Sequence, residues 1–174
     1  MFRWFLMMIA MSIVAPFALA DSGILNVHDF GAVADAKTDD TAAFQKALDE
    51  AAKTGTRAFV PAGRYVLRGH LTIPEHVTLE GVFQAPERTV HTEGTLEKER
   101  GTILLAYEGK GSETGEAFVT LNGNAHVRGV IIFYPEQNNP KNIVAFPWTV
   151  RADGDNCTIT NPAITIRARI YKPL

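Results

Sequence analysis

Apolar and polar positions change period sharply at Gly55. Before it, Phe44, Ala47, Leu48 and Ala51 recur at the i, i+3, i+4, i+7 spacing of one helix face, while Gln45, Lys46, Asp49, Glu50 and Lys53 fall elsewhere. The pattern predicts one amphipathic helix. It is entered at Asp39-Asp40-Thr41, where either aspartate suits the free amides and the positive dipole end, and it is left at Gly55, with Lys53 in the last turn. The stripe is narrow and alanine-rich, so the helix should lie close against a sheet. Residues 24–30 precede it as a strand and residues 35–38 as a loop. After Gly55 come short strand-like runs at Arg57–Val60, 65–67, 70–73, 77–81, 102–107, 129–135 and 143–146. One helix followed only by short strands points to a cap over the end of a β stack, not to an alternating α/β sheet.

Three of these runs look alike. His76-Val77-Thr78-Leu79-Glu80-Gly81, Ala125-His126-Val127-Arg128-Gly129 and Cys157-Thr158-Ile159-Thr160-Asn161 alternate apolar and polar residues and close on Gly or Asn. Val77, Ala125 and Cys157 should stack inward, as should Leu79, Val127 and Ile159, with the closing Gly or Asn at a corner of positive φ. The spacings are 48 and 32 positions, natural for coils with loops of variable length. The longest polar excursion, 84–101, carries Glu87, Arg88, His91, Glu93, Glu97, Lys98, Glu99 and Arg100, and a second spans 108–116. Such loops on a rigid scaffold wall grooves, or are merely solvated insertions. At the far end, Ile164, Ile166, Ile170 and Tyr171 read as one terminal strand covering part of an open coil, so self-association is expected there.

Asp29-Phe30-Gly31-Ala32, Thr38-Asp39-Asp40-Thr41, Phe44-Gln45-Lys46-Ala47 and Pro61-Ala62-Gly63-Arg64-Tyr65 occur in that order. Together they resemble the N-terminal signature of the pectate lyase superfamily, the rhamnogalacturonase and epimerase-like group. The resemblance covers residues 26–81 and fades afterwards. It implies an all-β solenoid, a single-stranded right-handed parallel β-helix with an N-terminal capping α-helix. It also implies relatives that continue well past this length, with catalytic groups on middle and later coils. Residues 21–174 therefore read as the N-terminal, truncated part of such a domain, inactive by itself. One departure is plain: the family usually has Gly-Asp-Gly where this chain has Ala34-Asp35-Ala36. Two alanines there should add strain or force another turn type.

Residues 1–20 are not read as fold. Arg3, an apolar run and Ala18-Leu19-Ala20 make a secretory signal peptide cleaved after Ala20, with an uncleaved anchor as the alternative. The protein is expected outside the cell or in the periplasm. Removing that segment leaves 16 basic against 19 acidic residues. This near-neutral balance argues against nucleic acid or an anionic membrane as partner. A pectin-like polysaccharide is the expected partner, and as a polyanion it would need a local basic patch. Cys157 is the only cysteine, so no internal disulfide forms, and it reads as a small interior residue.

The implied chemistries are glycoside hydrolysis, which needs two spaced carboxylates, and elimination beside a uronate, which needs a base with calcium or a basic side chain. Neither constellation stands out. No cofactor is identified, calcium being the candidate if the protein is a lyase; Asp153-Gly154-Asp155-Asn156 is the nearest ligand-like run, but it lacks the rest of an EF-hand pattern and reads as an ordinary turn. No metal-ligand spacing links His28, His70, His76, His91 and His126. Tyr134, Glu136, Trp148 and Arg151 are the candidates for sugar contact, the two aromatics being equally suited to packing. The rival reading is a non-catalytic surface β-helix that binds polysaccharide or only builds structure.

Overall fold

The computed structural model describes residues 23–84, 101–137 and 144–160, and the strands Ala163–Thr165 and Ile170–Tyr171. The readings of residues 1–20, of the 84–101 excursion beyond Gln84 and of 138–143 fall outside these residues. So do the Asn161 corner and the side chains beyond it.

Short strands succeed one another around three all-parallel sheets. The first face holds β1 (Ile24–Asn26), β3 (Arg57–Val60), β6 (Thr78–Gly81), β9 (His126–Arg128) and β12 (Thr158–Thr160). The second holds β2 (Asp35–Asp39), β4 (Gly63–Leu67), β7 (Thr102–Ala106), β10 (Val130–Phe133) and β13 (Ala163–Thr165). The third holds β5 (Leu71–Ile73), β8 (Val119–Leu121), β11 (Val150–Ala152) and β14 (Ile170–Tyr171). The chain visits the three faces in turn, coil after coil, so this is a parallel β-helix. The expected single terminal strand is instead two, because β13 and β14 extend different faces.

The core follows from strand alternation. Ala58, Leu79, Val127 and Ile159 are in register on the first face, Tyr65, Leu104 and Ile132 on the second, and Leu71, Val119 and Val150 on the third. All join one buried cluster, with Ile159 packed at its border. The stacked runs proposed from the sequence therefore align as expected. Their corners differ. Gly129 has φ +69 but Gly81 does not have positive φ, and the left-handed column lies just before Val77, Ala125 and Cys157, at His76, Asn124 and Asn156. There the His76 amide donates to the Gly123 carbonyl at 3.1 Å, and the Asn124 amide to that of Asp155 at 2.8 Å. Asn156 Nδ2 donates to Asn124 Oδ1 at 3.2 Å.

On the second face the outward side is apolar too. Val66, Ile103, Leu105, Ile131 and Phe133 form a second buried cluster, which is why β10 reads as an unbroken apolar run. Thr102 ties the neighbouring corner: its hydroxyl donates to the Val60 carbonyl at 2.8 Å and accepts the Val82 amide at 2.9 Å.

Helix α1 (Thr41–Thr54) closes the N-terminal end, with Phe44, Ala47, Leu48 and Ala51 fully buried. Gly55 takes φ +67 and its amide donates to the Ala51 carbonyl. Gln45 acts as a substitute strand, its Nε2 donating to the Thr72 carbonyl and its Oε1 accepting the Thr72 amide, both at 3.0 Å. The two aspartates divide their work. Asp39 accepts the Thr41 amide at 3.1 Å and hydroxyl at 2.6 Å, whereas Asp40 makes no cap bond. Desolvation pushes the Asp39 carboxyl up, but these Thr41 bonds and the Arg68 amide outweigh it and hold it below the usual carboxylate range. Asp40, buried, accepts the Val33 amide at 2.7 Å and the Ala34 amide at 3.3 Å.

Those bonds hold the unusual turn. Ala34 and Ala36 have φ of +63 and +60, so the alanines keep the left-handed shape that glycine would adopt freely. Such a residue costs roughly 1–2 kcal/mol. Asp35 secures the other side by accepting the Thr38 amide at 2.7 Å, the Lys37 amide at 2.8 Å and the Thr38 hydroxyl at 2.9 Å. Two other expectations need correction. Only Ile24–Asn26 of the first segment is strand, because Asn26 accepts the His28 amide and starts a 3-10 turn at Val27–Phe30. Residues 144–146 are not strand, and 35–38, expected as loop, belong to β2.

Candidate functional site

The loops between the second and third faces gather most of the candidate residues. After β7 the chain runs through 107–118 to β8, and after β10 through 134–149 to β11. The two loops are tied: the Gly111 amide donates to the Ala145 carbonyl at 2.8 Å, and the Phe118 amide to that of Trp148 at 3.0 Å. Pro147 packs on Gly109, where an added Cβ would come within 2.6 Å of its ring.

Tyr134 is not available to a sugar. It is 2% exposed, its ring lies 4.8 Å from Phe146 and 6.3 Å from Phe118, and its hydroxyl donates to Thr149 Oγ1 at 3.0 Å. Burial pushes its phenol pKa up, against the lowering effect of Thr149. The Tyr134 expectation is therefore corrected: the ring continues the inward column of Leu67 and Ala106, and the core claims it.

The other three stay near the surface. Glu136, in the 3-10 turn Pro135–Gln137, meets Lys110 Nζ at 2.9 Å. Trp148 is half-buried at the foot of β11. Arg151 points outward from β11 and its guanidinium is paired with Asp153. That hydrogen bond, and then the Asp153 charge, raise its pKa further. The Asp153–Asn156 run is a turn.

Sequence reasoning missed His70, which lies at the preceding corner of the same ledge. Its Nδ1 is 2.9 Å from the Ala117 carbonyl, which fixes that nitrogen as the donor. Its Nε2 then faces Glu108 Oε1 and Glu116 Oε2, each at 3.9 Å. Glu116 also lies in the field of Arg151. The only sequence sign was position, at the first residue of a predicted strand. What meets across coils depends on register, which no local pattern reveals. The ledge thus offers the Trp148 indole, the Arg151 guanidinium, the Arg68 guanidinium over the Tyr107 ring at 4.7 Å, the Lys110 ammonium and the His70 imidazole between two carboxylates. That suits holding hydroxyls and carboxylates through exchangeable charged bonds. Among the described residues no group of three or more His, Cys, Asp or Glu is placed to hold a metal ion, and no helix is long and apolar enough to cross a membrane.

Comparison with known proteins agrees with this architecture. The family model described as rhamnogalacturonase A/epimerase, pectate lyase-like, matches residues 24–167. Mannuronan C5-epimerase AlgE3 of Azotobacter vinelandii is 36% identical over 107 residues, covering 57% of this chain and 6% of its own length. Alginate lyase 7 of the same organism is 36% identical over 107 residues, covering 57% of this chain and 12% of its own. The chain thus spans a small part of the curated relatives it matches. Among solved structures, the A-module of A. vinelandii mannuronan C-5 epimerase AlgE4 superimposes with a TM-score of 0.55 at 22% identity, covering 80% of this chain and 38% of that one. With the match running through nearly every strand of the coil, the chain belongs to the pectate lyase-like family of rhamnogalacturonase A and the epimerases.

Proposed function

We propose that this chain is an exported β-helix that engages a uronate polysaccharide, with Glu136, Trp148 and Arg151 making contacts on the ledge. The observation that carries the reading is the family match, joined to relatives named as mannuronan epimerases and an alginate lyase. Mannuronan, alginate and pectin share one chemistry, a pyranose bearing a carboxylate. Arg151 and Lys110 can exchange Asp153 and Glu136 for that carboxylate, and the half-buried Trp148 adds aromatic area of the kind that packs on sugar C–H groups.

Binding, not turnover, is the role assigned to these coils, because the ledge cations Arg151 and Lys110 are each matched to a carboxylate, Asp153 and Glu136. Removal of the proton beside a uronate carboxylate, common to lyases and epimerases, would need a base aimed at that carbon. The Asp153–Asn156 turn does not fit calcium. Asp153 is paired with Arg151, and among the described residues no group of three or more His, Cys, Asp or Glu is placed to hold a metal ion.

The test uses protein recovered from outside the cytoplasm, whose mass is expected to begin at Asp21. Affinity electrophoresis through polymannuronate and polygalacturonate should retard it, and neutral dextran should not. Trp148→Ala with Arg151→Gln should weaken retention about tenfold relative to Lys46→Ala, and unsaturated products and reducing ends should stay at background. Equal mobility in all three polymers would remove the reading.

A further inference from the structure

The first face has the open, polar outer side of this coil. From Val66 to Phe133 the second face is apolar and buried on its outer side, and on the third Thr72 is held by Gln45, Thr120 is buried and Arg151 already belongs to the ledge. On the first face two outward columns run along the coil. One is Arg57, Thr78, His126 and Thr158, and the other is Phe59, Glu80, Arg128 and Thr160.

Glu80 is the one acid in these columns, and two guanidiniums converge on it. Arg57 Nε lies 2.9 Å from Glu80 Oε2, and Arg128 Nη2 lies 2.8 Å from Glu80 Oε1. The first contact pairs charge without hydrogen-bond alignment, since Arg57 Nε and Glu80 Oε2 are shielded from solvent and neither has a hydrogen-bond partner. One carboxylate against two guanidiniums leaves a net positive charge, with both arginine side chains nearly half exposed. On a chain with more acidic than basic residues, this is a local basic spot of the kind a polyanion requires. Phe59, half-buried beside Glu80 in the same column, supplies an apolar platform. Neighbouring strands lie about 4.8 Å apart, close to the advance of one pyranose along an extended chain. A polymer laid along the coil axis therefore crosses β3, β6 and β9 at about one sugar per strand.

We propose that this outer side is a second docking surface for a carboxylated polysaccharide, separate from the ledge. Arg57 and Arg128 take the uronate carboxylates in competition with Glu80, which acts as an internal stand-in for the ligand. The inference rests on the reading that the chain engages uronate polymers, and it adds where a long chain is held.

The experiment titrates the whole protein with polymannuronate, with dextran as the neutral control, at low and at physiological salt. Arg57→Gln with Arg128→Gln should weaken binding about tenfold and flatten its salt dependence. Glu80→Gln frees both guanidiniums and should tighten binding about threefold, an outcome that a purely structural ion pair would not give. Circular dichroism checks that each variant is folded, and if the double variant is not, Glu80→Gln alone decides. Wild-type binding with Glu80→Gln unchanged or weaker overturns this surface and leaves the ledge reading standing. So does a folded double variant that binds like wild type. No binding by the wild type removes both.

Discussion

A methyl group added at Gly63 would sit 2.8 Å from the Ala34 Cβ, closer than carbon atoms approach. The two positions belong to adjacent strands of the second face and its entry turn, so neither can move without disturbing the bonds that Asp40 makes to Val33 and Ala34. Gly63→Ala should therefore cost about 1–3 kcal/mol by overpacking. Ala34→Gly should recover much of it, because it removes both the clashing methyl and the left-handed alanine. Chemical denaturation of the two single variants and the double variant gives the coupling, and strictly additive values would contradict the contact. This turn was only half legible beforehand. The two alanines could be seen to stand where glycine belongs, but nothing local showed that Asp40 would leave the helix and hold the turn. Its partners are six and seven residues upstream, and the choice between capping and turn-holding is settled by tertiary packing.

The cap helix was the best-read element, since its stripe, its exit at Gly55 and its burial all follow from a 3.6-residue period. Gln45 shows where that reading stops. Periodicity assigns it to the polar side, yet it donates to and accepts from the two backbone groups of Thr72, while its remaining Nε2 proton goes to Asp49 Oδ1 at 2.9 Å. Gln45→Ala should cost about 1–3 kcal/mol by leaving the Thr72 amide and carbonyl without their partner. Lys46→Ala, one residue on and exposed, should change stability by no more than about 0.5 kcal/mol. Equal midpoints in urea for the two variants would mean that the helix merely rests on the end of the sheet. The strands were legible as existing but not as partners. The 48- and 32-residue spacings revealed one column of the first face, whereas the meeting of His70 with Glu108 and Glu116 needed the whole register. Tyr134 misled because an aromatic beside Pro135 and Glu136 looks the same in sequence whether it faces sugar or core.

As a molecule, the coil is a stack in which each turn touches mainly its neighbours, so its stability should be graded along the axis. Native-state hydrogen exchange should show β6, β7 and β8 opening together and latest, being the central coil of the described five, with β12 exchanging sooner. Protection graded face by face, with the three strands of one coil differing widely, would reject coil-wise opening. The left-handed column at His76, Asn124 and Asn156 gives this stack a further property. However far the chain wanders between faces, each circuit returns to the same backbone angle at the same corner, and the next strand starts in phase with the last. Length between corners is thereby uncoupled from alignment within the sheets. Such a scaffold can lengthen or trade a loop at one corner, and with it alter what it recognises, without renegotiating a single interior contact.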